Sequence, residues 1–232
     1  MFLKRWEDLP EIMKTEEVRP YYDVLRKRKV SLALKRIFDF LVSLVLLLII
    51  WPVLGIIAIA VKLDSPGPVF FRQERITTYG KKFRIWKFRT MVANAEKIGS
   101  QVTVSNDRRV TKVGKMLRGV RLDELPQIIN ILAGEMSFVG TRPEVPKYVK
   151  AYKPEYYATL LLPAGVTSEA SIRYKDEDRL LAETGDTDKT YIEKILPAKM
   201  AWNLGSIREF SFGGEIHTMI RTVLAVLGKE YQ

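Results

Sequence analysis

The chain contains no cysteine and only one histidine, His217, among its 232 residues. Without cysteine it forms no disulfide and has no thiolate to use as a nucleophile or metal ligand. With one histidine, a metal site built from several imidazoles is excluded, and a Ser-His-Asp triad around His217 has no supporting motif. A bound metal would depend on carboxylate and carbonyl oxygens, which suit a hard cation such as Mg²⁺.

Acidic residues are also scarce relative to basic ones. The chain has 27 Asp and Glu against 38 Lys and Arg, which gives a net charge of +11. Such an excess favours polyanionic partners, namely nucleic acid, an anionic bilayer surface or phosphorylated substrates. The length allows one domain with a packed core, or a compact domain with an appendage, and the hydrophobic fraction of 47% excludes general disorder.

Residues 40–61, FLVSLVLLLIIWPVLGIIAIAV, carry no charge and are long enough for a helix that crosses about 30 Å of hydrocarbon. Pro52 predicts a kink there because it lacks an N–H and its ring collides with the carbonyl of Leu48. Basic residues flank both ends, so a spanning helix would place one basic flank on the non-cytoplasmic side. A re-entrant helix that enters and leaves one leaflet is therefore favoured over a spanning helix, which remains the alternative.

The pattern of elements predicts an α+β fold that is mostly helical, with a small β-hairpin. We divide the chain into a basic N-terminal segment (1–34), the re-entrant membrane helix (35–62) and a membrane-surface domain (63–232) that ends in amphipathic helices. Aromatic and β-branched residues in VFFRQERI and KKFRIWKFRTM predict the two hairpin strands. Helical spacing predicts helices over VTKVGKMLRG and over 94–99, 125–133, 144–162, 176–184, 188–209 and 214–228.

Two adjacent carboxylates, Asp123 and Glu124, precede an apolar pattern in RLDELPQIINILAGEMSFVGTRP, residues 121–143. Taken alone, the pair fits the first turn of a helix, where exposed N–H groups favour acids. Its basic surroundings favour a site for a phosphorylated group, because Arg and Lys bind phosphate oxygens. The nearby cations are Arg118, Arg121 and Arg142, with Lys87 and Arg89 on the second predicted strand.

Five motifs in order over about residues 35–175 resemble the bacterial sugar transferase family, the monotopic phosphoglycosyl transferases: KRIFDF, GPVFFRQER, KFRTM, LRGVRLDELPQIINILAGEMSFVGTRP and LPAGVTSEASIRY. The resemblance implies transfer of a sugar 1-phosphate from a nucleotide diphosphate sugar, expected to be a UDP-sugar, to polyprenol phosphate. A nucleoside monophosphate is released, and the step begins glycoconjugate, exopolysaccharide or lipopolysaccharide synthesis. The implied place is the bacterial inner (cytoplasmic) membrane, among its lipids, with the catalytic domain facing the cytoplasm.

The resemblance also assigns roles to residues. Asp123 becomes the nucleophile that forms an aspartyl-phosphosugar, and Glu124 becomes the ligand of Mg²⁺. Phosphate or nucleotide contacts are expected from Lys87, Arg89, Arg118, Arg142, Arg75 and Arg173. The chain departs from the family pattern at four positions: Trp51 replaces a frequent Ser, Thr141 a Pro, Glu135 an Asp and Asn203 a frequent acid.

Nucleic acid is not expected as a partner of such an enzyme, and a homo-oligomer is left open. The rival hypothesis is a non-enzymatic basic adaptor at the membrane surface that binds anionic lipid or nucleic acid. It explains the positive charge and the apolar run but gives no reason for the acidic pair.

Overall fold

The computed structural model describes residues 3–95, 107–174 and 187–226. Within these ranges the chain is mostly helical with two small sheets, as expected for the predicted α+β class. Its helices and strands are α1 (Arg19–Lys27), α2 (Lys29–Asp64), β1 (Phe70–Ile76), β2 (Lys82–Phe88), α3 (Lys112–Gly119), α4 (Gln127–Ala133), β3 (Met136–Val139), α5 (Pro146–Val149), β4 (Ala164–Thr167), α6 (Glu169–Arg173), α7 (Thr187–Thr190), α8 (Leu196–Arg208) and α9 (Phe212–Val226).

Helix α2 contains the apolar run and is long and apolar enough, by length and composition, to cross a membrane. Pro52 lies inside it. Its middle exposes large apolar side chains that nothing in the described chain covers, among them Leu41, Val45, Leu48, Ile49, Trp51, Val53 and Ile56. A continuous apolar surface of this kind is typical of a segment surrounded by lipid.

Side chains in both halves of α2 form hydrogen bonds with the rest of the chain. In the first half, the Lys35 ammonium donates to the Val139 carbonyl at 2.7 Å, and the Asp39 carboxylate accepts the Phe138 N–H at 3.2 Å. Lys35 also forms an ion pair with Glu215 on α9. At the other end, the Asp64 carboxylate accepts the N–H of Val113 on α3 at 3.0 Å.

The predicted hairpin is confirmed, with β1 and β2 antiparallel and Phe70 opposite Phe88. The prediction missed a second sheet, in which β3 pairs in parallel with β4. Each of those strands has four residues, too few for an alternating pattern to stand out. Helices α3, α4 and α8 confirm predicted elements, and α4 ends at Gly134, whose φ of +81° suits glycine.

The predicted helix over 144–162 is wrong. The structure has the short α5 and then a 3₁₀ segment, Pro154–Leu161, because the prolines at 146 and 154 each start a new turn. The predicted helix over 176–184 lies outside the described residues, as does most of the one over 94–99. The predicted helix over 188–209 begins as α7 and reaches α8 through a π-helical turn, Tyr191–Ile195.

The main hydrophobic core joins the beginning of the chain to its later helices. Leu9, Met13 and Leu25 share a cluster of buried residues with Leu161 and Met200. The basic N-terminal segment is therefore packed into the same core as the surface domain. The long α2 emerges from this body between α1 and the hairpin.

Substitutions at two glycines test the tight contact beside β3 and β4. A Cβ on Gly165 would lie 2.1 Å from the Gly140 nitrogen, whereas a Cβ on Gly205, inside α8, meets nothing within 4 Å. We expect Gly165→Ala to lower the free energy of unfolding by roughly 1–3 kcal/mol or more through overpacking. Gly205→Ala should raise it by about 0.5–1 kcal/mol, because glycine weakens a helix interior. Thermal unfolding of both variants in the same detergent measures the two effects. An equal effect of the two variants would contradict the close contact between Gly140 and Gly165.

Candidate active site

The acidic pair lies on a 3₁₀ turn, Leu122–Glu124, between α3 and α4. Helix α3 starts at the N-cap Thr111, whose side chain accepts the Gly114 N–H at 3.0 Å. The turn begins at Arg121, whose φ of +55° is rare for a residue other than glycine. Backbone strain of this kind costs of the order of 1–3 kcal/mol and clusters at functional sites. The left-handed conformation of Arg121 allows the chain to reverse sharply and present both carboxylates together.

Glu124 forms ion pairs with two of the predicted cations. Its Oε1 accepts from the Lys87 ammonium at 2.7 Å and from Nη2 of Arg142 at 2.6 Å. The hairpin supplies Lys87, and the loop after β3 supplies Arg142. The structure therefore brings together three residues that lie up to 55 positions apart in the sequence, from 87 to 142.

Asn130 fixes the distance between the hairpin and the helix that follows the pair. Its Oδ1 accepts the Trp86 N–H at 2.9 Å, and its amide nitrogen donates to the Arg84 carbonyl at 3.1 Å. Asn130 is fully buried, so these bonds are shielded from water. They hold α4 against β2 and so set the position of Lys87 relative to Glu124.

The pKa values of the two carboxylates are shifted in opposite directions. Burial raises the pKa of Asp123, and the positive charge of Lys87 offsets this only in part. Burial by itself would also raise the pKa of Glu124, but Arg142 and Lys87 outweigh it and hold that pKa well below its usual value. Within the described ranges Asp123 accepts no hydrogen bond. Asp123 is thus a poorly solvated carboxylate with free oxygens, and Glu124 is a firmly ionised one.

Two further predicted arginines lie near the pair. Nε of Arg118 donates to the Thr90 hydroxyl at 2.8 Å, and its charge lowers the pKa of Asp123. Nη1 of Arg75 donates to the Pro143 carbonyl at 3.0 Å, next to Arg142. Burial lowers the pKa of Arg75, and its Nε has no hydrogen-bond partner within the described part of the chain.

Arg89 and Arg173 are placed differently. The guanidinium of Arg89 donates to the carbonyls of Val61, Ser65 and Pro66 and so caps the C-terminal end of α2. That of Arg173 stacks on the Trp202 ring, 3.8 Å from its centroid. The geometry gives both a packing role, and their expected phosphate contacts stay predictions.

The structure adds residues that sequence reasoning missed. Glu144 is buried, accepts a hydrogen bond from the Tyr191 hydroxyl, and accepts the Ile76 N–H at its carbonyl at 3.0 Å. These bonds brace the loop that carries Arg142. The available signal was an acid directly after the TRP of the long motif, but its partner lies 47 positions further along the chain.

The donor set limits what metal the pair can take. The described residues contain no group of three or more His, Cys, Asp or Glu side chains suited to a metal ion. Mg²⁺ commonly binds to one or two carboxylates together with substrate phosphates and water. Asp123 and Glu124 fit that arrangement, because a diphosphate would supply the missing oxygens.

Comparison with known proteins gives consistent matches. The family model described as bacterial sugar transferase matches residues 30–229. The chain is 41% identical over 217 residues to UDP-glucose:undecaprenyl-phosphate glucose-1-phosphate transferase of Escherichia coli (strain K12), covering 92% of this chain and 44% of that protein. It is 33% identical over 197 residues to UDP-N-acetylgalactosamine-undecaprenyl-phosphate N-acetylgalactosaminephosphotransferase of Aeromonas hydrophila, covering 84% and 44%.

A shorter relative is aligned over nearly its whole length. It is the exopolysaccharide production protein PSS of Rhizobium leguminosarum bv. phaseoli, with 34% identity over 204 residues, 85% of this chain and 96% of that protein. The chain spans less than half of the two longer relatives, at 44% of each. Every residue of the site described above lies within the range of the family match, residues 30–229.

Neutralising each carboxylate should change stability in opposite directions. Asp123→Asn removes a poorly solvated charge and should raise the free energy of unfolding at neutral pH by roughly 1 kcal/mol. Glu124→Gln leaves the partly buried Lys87 and Arg142 beside an uncharged partner and should lower it by roughly 1–3 kcal/mol. Denaturant or thermal unfolding in detergent measures both, and changes of the same sign would contradict the described charge pattern.

The pH dependence of the same variants provides a control. The folded-state pKa of Glu124 is depressed, so its stabilisation is complete above the unfolded value of about 4.3 and is lost as pH falls through the folded value. The folded-state pKa of Asp123 is raised, so its cost is present above that pKa and disappears below about 3.9. The benefit of Asp123→Asn should therefore vanish in acid.

Proposed function

Because this chain belongs to the bacterial sugar transferase family, we propose that it transfers a sugar 1-phosphate from a nucleotide diphosphate sugar to polyprenol phosphate. The relatives' names support a UDP-sugar donor and an undecaprenyl-phosphate acceptor. The second product is a nucleoside monophosphate. The reaction is the first membrane step of glycoconjugate or exopolysaccharide synthesis, in keeping with the name of the shorter relative.

The contrast between the two adjacent carboxylates carries this proposal. The oxygens of Asp123 are free of hydrogen bonds within the described residues, and burial keeps them poorly solvated. Desolvation of a carboxylate makes it a better nucleophile toward phosphorus. Glu124 is fixed by Lys87 and Arg142 and does not compete for that role.

The proposed reaction has two displacements. An oxygen of Asp123 attacks the phosphorus that carries the sugar, and the bond to the bridging oxygen breaks, so the nucleoside monophosphate leaves with that oxygen. An oxygen of the polyprenol phosphate then attacks the same phosphorus and frees Asp123, giving a polyprenyl diphosphate sugar. Lys87, Arg118 and Arg142 lie where they can balance the negative charge of the phosphates.

We include Mg²⁺ in the proposal, with Glu124 as its protein ligand beside Asp123. When bound, it would neutralise charge on the diphosphate and on its leaving group. Within the described ranges Glu124 Oε2 has one contact, a long one of 3.5 Å from Nη1 of Arg142, so this oxygen is the more available of the two.

The packing of α2 supports a re-entrant arrangement, and the basic residues at both of its ends favour the cytoplasmic face of the membrane. Arg36 donates to the Ile131 carbonyl near the end of α4, while Ile57 belongs to a cluster that includes Leu125, just before α4 begins. On a straight helix Arg36 and Ile57 would be about 31 Å apart, whereas the seven residues of α4 extend about 10 Å. A bend at Pro52 would bring both arms to the same side.

Activity of one variant tests the nucleophile. Purified protein in lipid with Mg²⁺, polyprenol phosphate and a panel of nucleotide diphosphate sugars should release the nucleoside monophosphate. Asp123→Asn should lose at least 10³-fold of this turnover, of the order expected when a nucleophile is removed. Asp8 is exposed and far from Asp123 in the sequence, so the control variant Asp8→Asn should keep the turnover of the parent protein.

Two outcomes would count against the proposed reaction. Full activity of Asp123→Asn would remove the nucleophile, and absence of nucleotide release with every donor would favour the non-enzymatic adaptor. Exchange of labelled nucleoside monophosphate into the donor without acceptor, together with a sugar-phosphate adduct on Asp123, would establish the covalent route.

Cysteine labelling tests the topology, and the chain has no cysteine of its own to interfere. Val30 and Leu63 lie at the two ends of α2 and are 74% and 82% exposed. Val30→Cys and Leu63→Cys should both react with an impermeant maleimide in inside-out vesicles and neither in right-side-out vesicles. Trp51→Cys, beside the proline, should be protected in both, and labelling of the two ends from opposite sides would establish a spanning helix instead.

A further inference from the structure

A cavity of about 510 Å³ lies between the first half of α2, the turn that joins β1 to β2, and the C-terminal end of α4. Lys35, Arg36 and Asp39 of α2 form one wall, and Thr77, Thr78, Tyr79, Lys81 and Lys82 of the turn form another. Phe83, Met136 and Pro163 make the floor apolar. The chemistry proposed above uses none of these residues.

The cavity is separate from the acidic pair. Strand β2 contributes Phe83 to the cavity and Lys87 to the ion pair with Glu124. Four residues of extended strand span about 13 Å. Helix α4 likewise has its first turn beside the pair and its last residue, Ala133, in the cavity. A ligand in the cavity would therefore occupy a different place from the sugar nucleotide.

The cavity opens at the depth where α2 changes from polar to apolar surroundings. Arg36 and Asp39 face it, while Ile37 and Leu41 on the same turns of α2 expose 55% and 53% of their surface. Apolar side chains next to a charged wall mark the boundary between hydrocarbon and headgroups. The cavity is thus at headgroup level if the exposed face of α2 is in lipid.

The charged groups of the walls differ in what they contact. Lys35 pairs with Glu215, and Arg36 donates to the carbonyls of Ile131 and Leu132 at the end of α4. Lys82 pairs with Glu74 at 2.9 Å, and Asp39 accepts a backbone N–H, so both are satisfied within the protein. Lys81 is exposed and forms no ion pair with the described residues. Lys81 and Thr78 both line the cavity, and an ammonium and a hydroxyl are groups that suit a phosphate oxygen.

The turn that forms the cavity is held in place before any ligand arrives. Tyr79 has a φ of +58°, and its hydroxyl accepts the Lys4 N–H at 3.0 Å. The Thr77 hydroxyl donates to the Glu135 carbonyl at 2.7 Å and accepts the Ala164 N–H at 3.1 Å. A preformed cavity binds with less loss of conformational entropy than a flexible one.

We propose that this cavity binds the phosphodiester headgroup of a membrane phospholipid, with Lys81 on the phosphate and the acyl chains along the exposed face of α2. The lipid's glycerol backbone would lie over the apolar floor. Such a lipid would fix the depth of the first arm of α2 in the leaflet. The proposal depends on membrane insertion of α2 and is independent of the reaction at Asp123.

The test uses the full chain in lipid nanodiscs with a phospholipid that carries a photoreactive headgroup. Peptide mapping should locate the crosslink on residues 77–82 or 133–136. Lys81→Glu should reduce this crosslink about fivefold or more, since each basic residue near an anionic surface contributes on that scale. Lys150→Glu makes the same charge change at an exposed lysine outside the cavity and should leave the crosslink unchanged.

A second pair of variants tests the cavity without altering charge. Ala133→Trp fills the space from the exposed end of α4 and should also suppress the crosslink, whereas Ala151→Trp, exposed and remote, should not. Equal crosslinking of Lys81→Glu and Lys150→Glu would overturn the proposal. So would competition by millimolar inorganic phosphate or glycerol phosphate, which would identify a free phosphate as the ligand.

Discussion

The partly buried ion pairs of Glu124 are the interaction on which the site depends. Lys87 comes from the hairpin, Arg142 from the loop after β3, and Glu124 from the turn before α4, so one carboxylate joins three separate parts of the fold. Removing water from these charges is costly, and only mutual pairing offsets the cost. Burial raises the pKa of the neighbouring Asp123, and the charges of Lys87, Arg118 and Arg142 offset this only in part. The chain therefore places a firmly ionised and a poorly solvated carboxylate side by side, which is the asymmetry that the proposed covalent transfer would use.

The sequence predicted the features that depend on local pattern. Aromatic and β-branched residues revealed the hairpin, the uncharged run revealed α2, and the spacing after Asp123 and Glu124 revealed α4. Most of the cationic candidates were also identified, because Lys87, Arg118 and Arg142 do surround the pair. Short motifs sufficed here because the acidic pair and its basic neighbours occur close together in the sequence, apart from Lys87 on the hairpin.

Features that depend on contacts between residues far apart in the sequence could not be predicted from local patterns. The parallel pairing of β3 with β4 joins residues nearly 30 positions apart, such as Met136 and Ala164, through strands too short to show a period. Arg89 resembles a phosphate ligand in sequence, and only the fold shows that its bonds go to the carbonyls at the end of α2. Glu144 gave little signal because Tyr191, its partner, lies far along the chain.

The guanidinium of Arg89 has a mechanical consequence. It ties the last turn of the hydrophobic helix to the residue that follows β2, and Lys87 lies only two positions earlier on the same strand. The C-terminal end of α2 and the Lys87 ammonium are thus held by the same short stretch of chain. A bilayer that is too thick or too thin for a hydrophobic segment changes its tilt. With α2 in a membrane, such a tilt would move the end of β2 that carries Lys87, so the geometry of the proposed site would depend on the thickness of the bilayer.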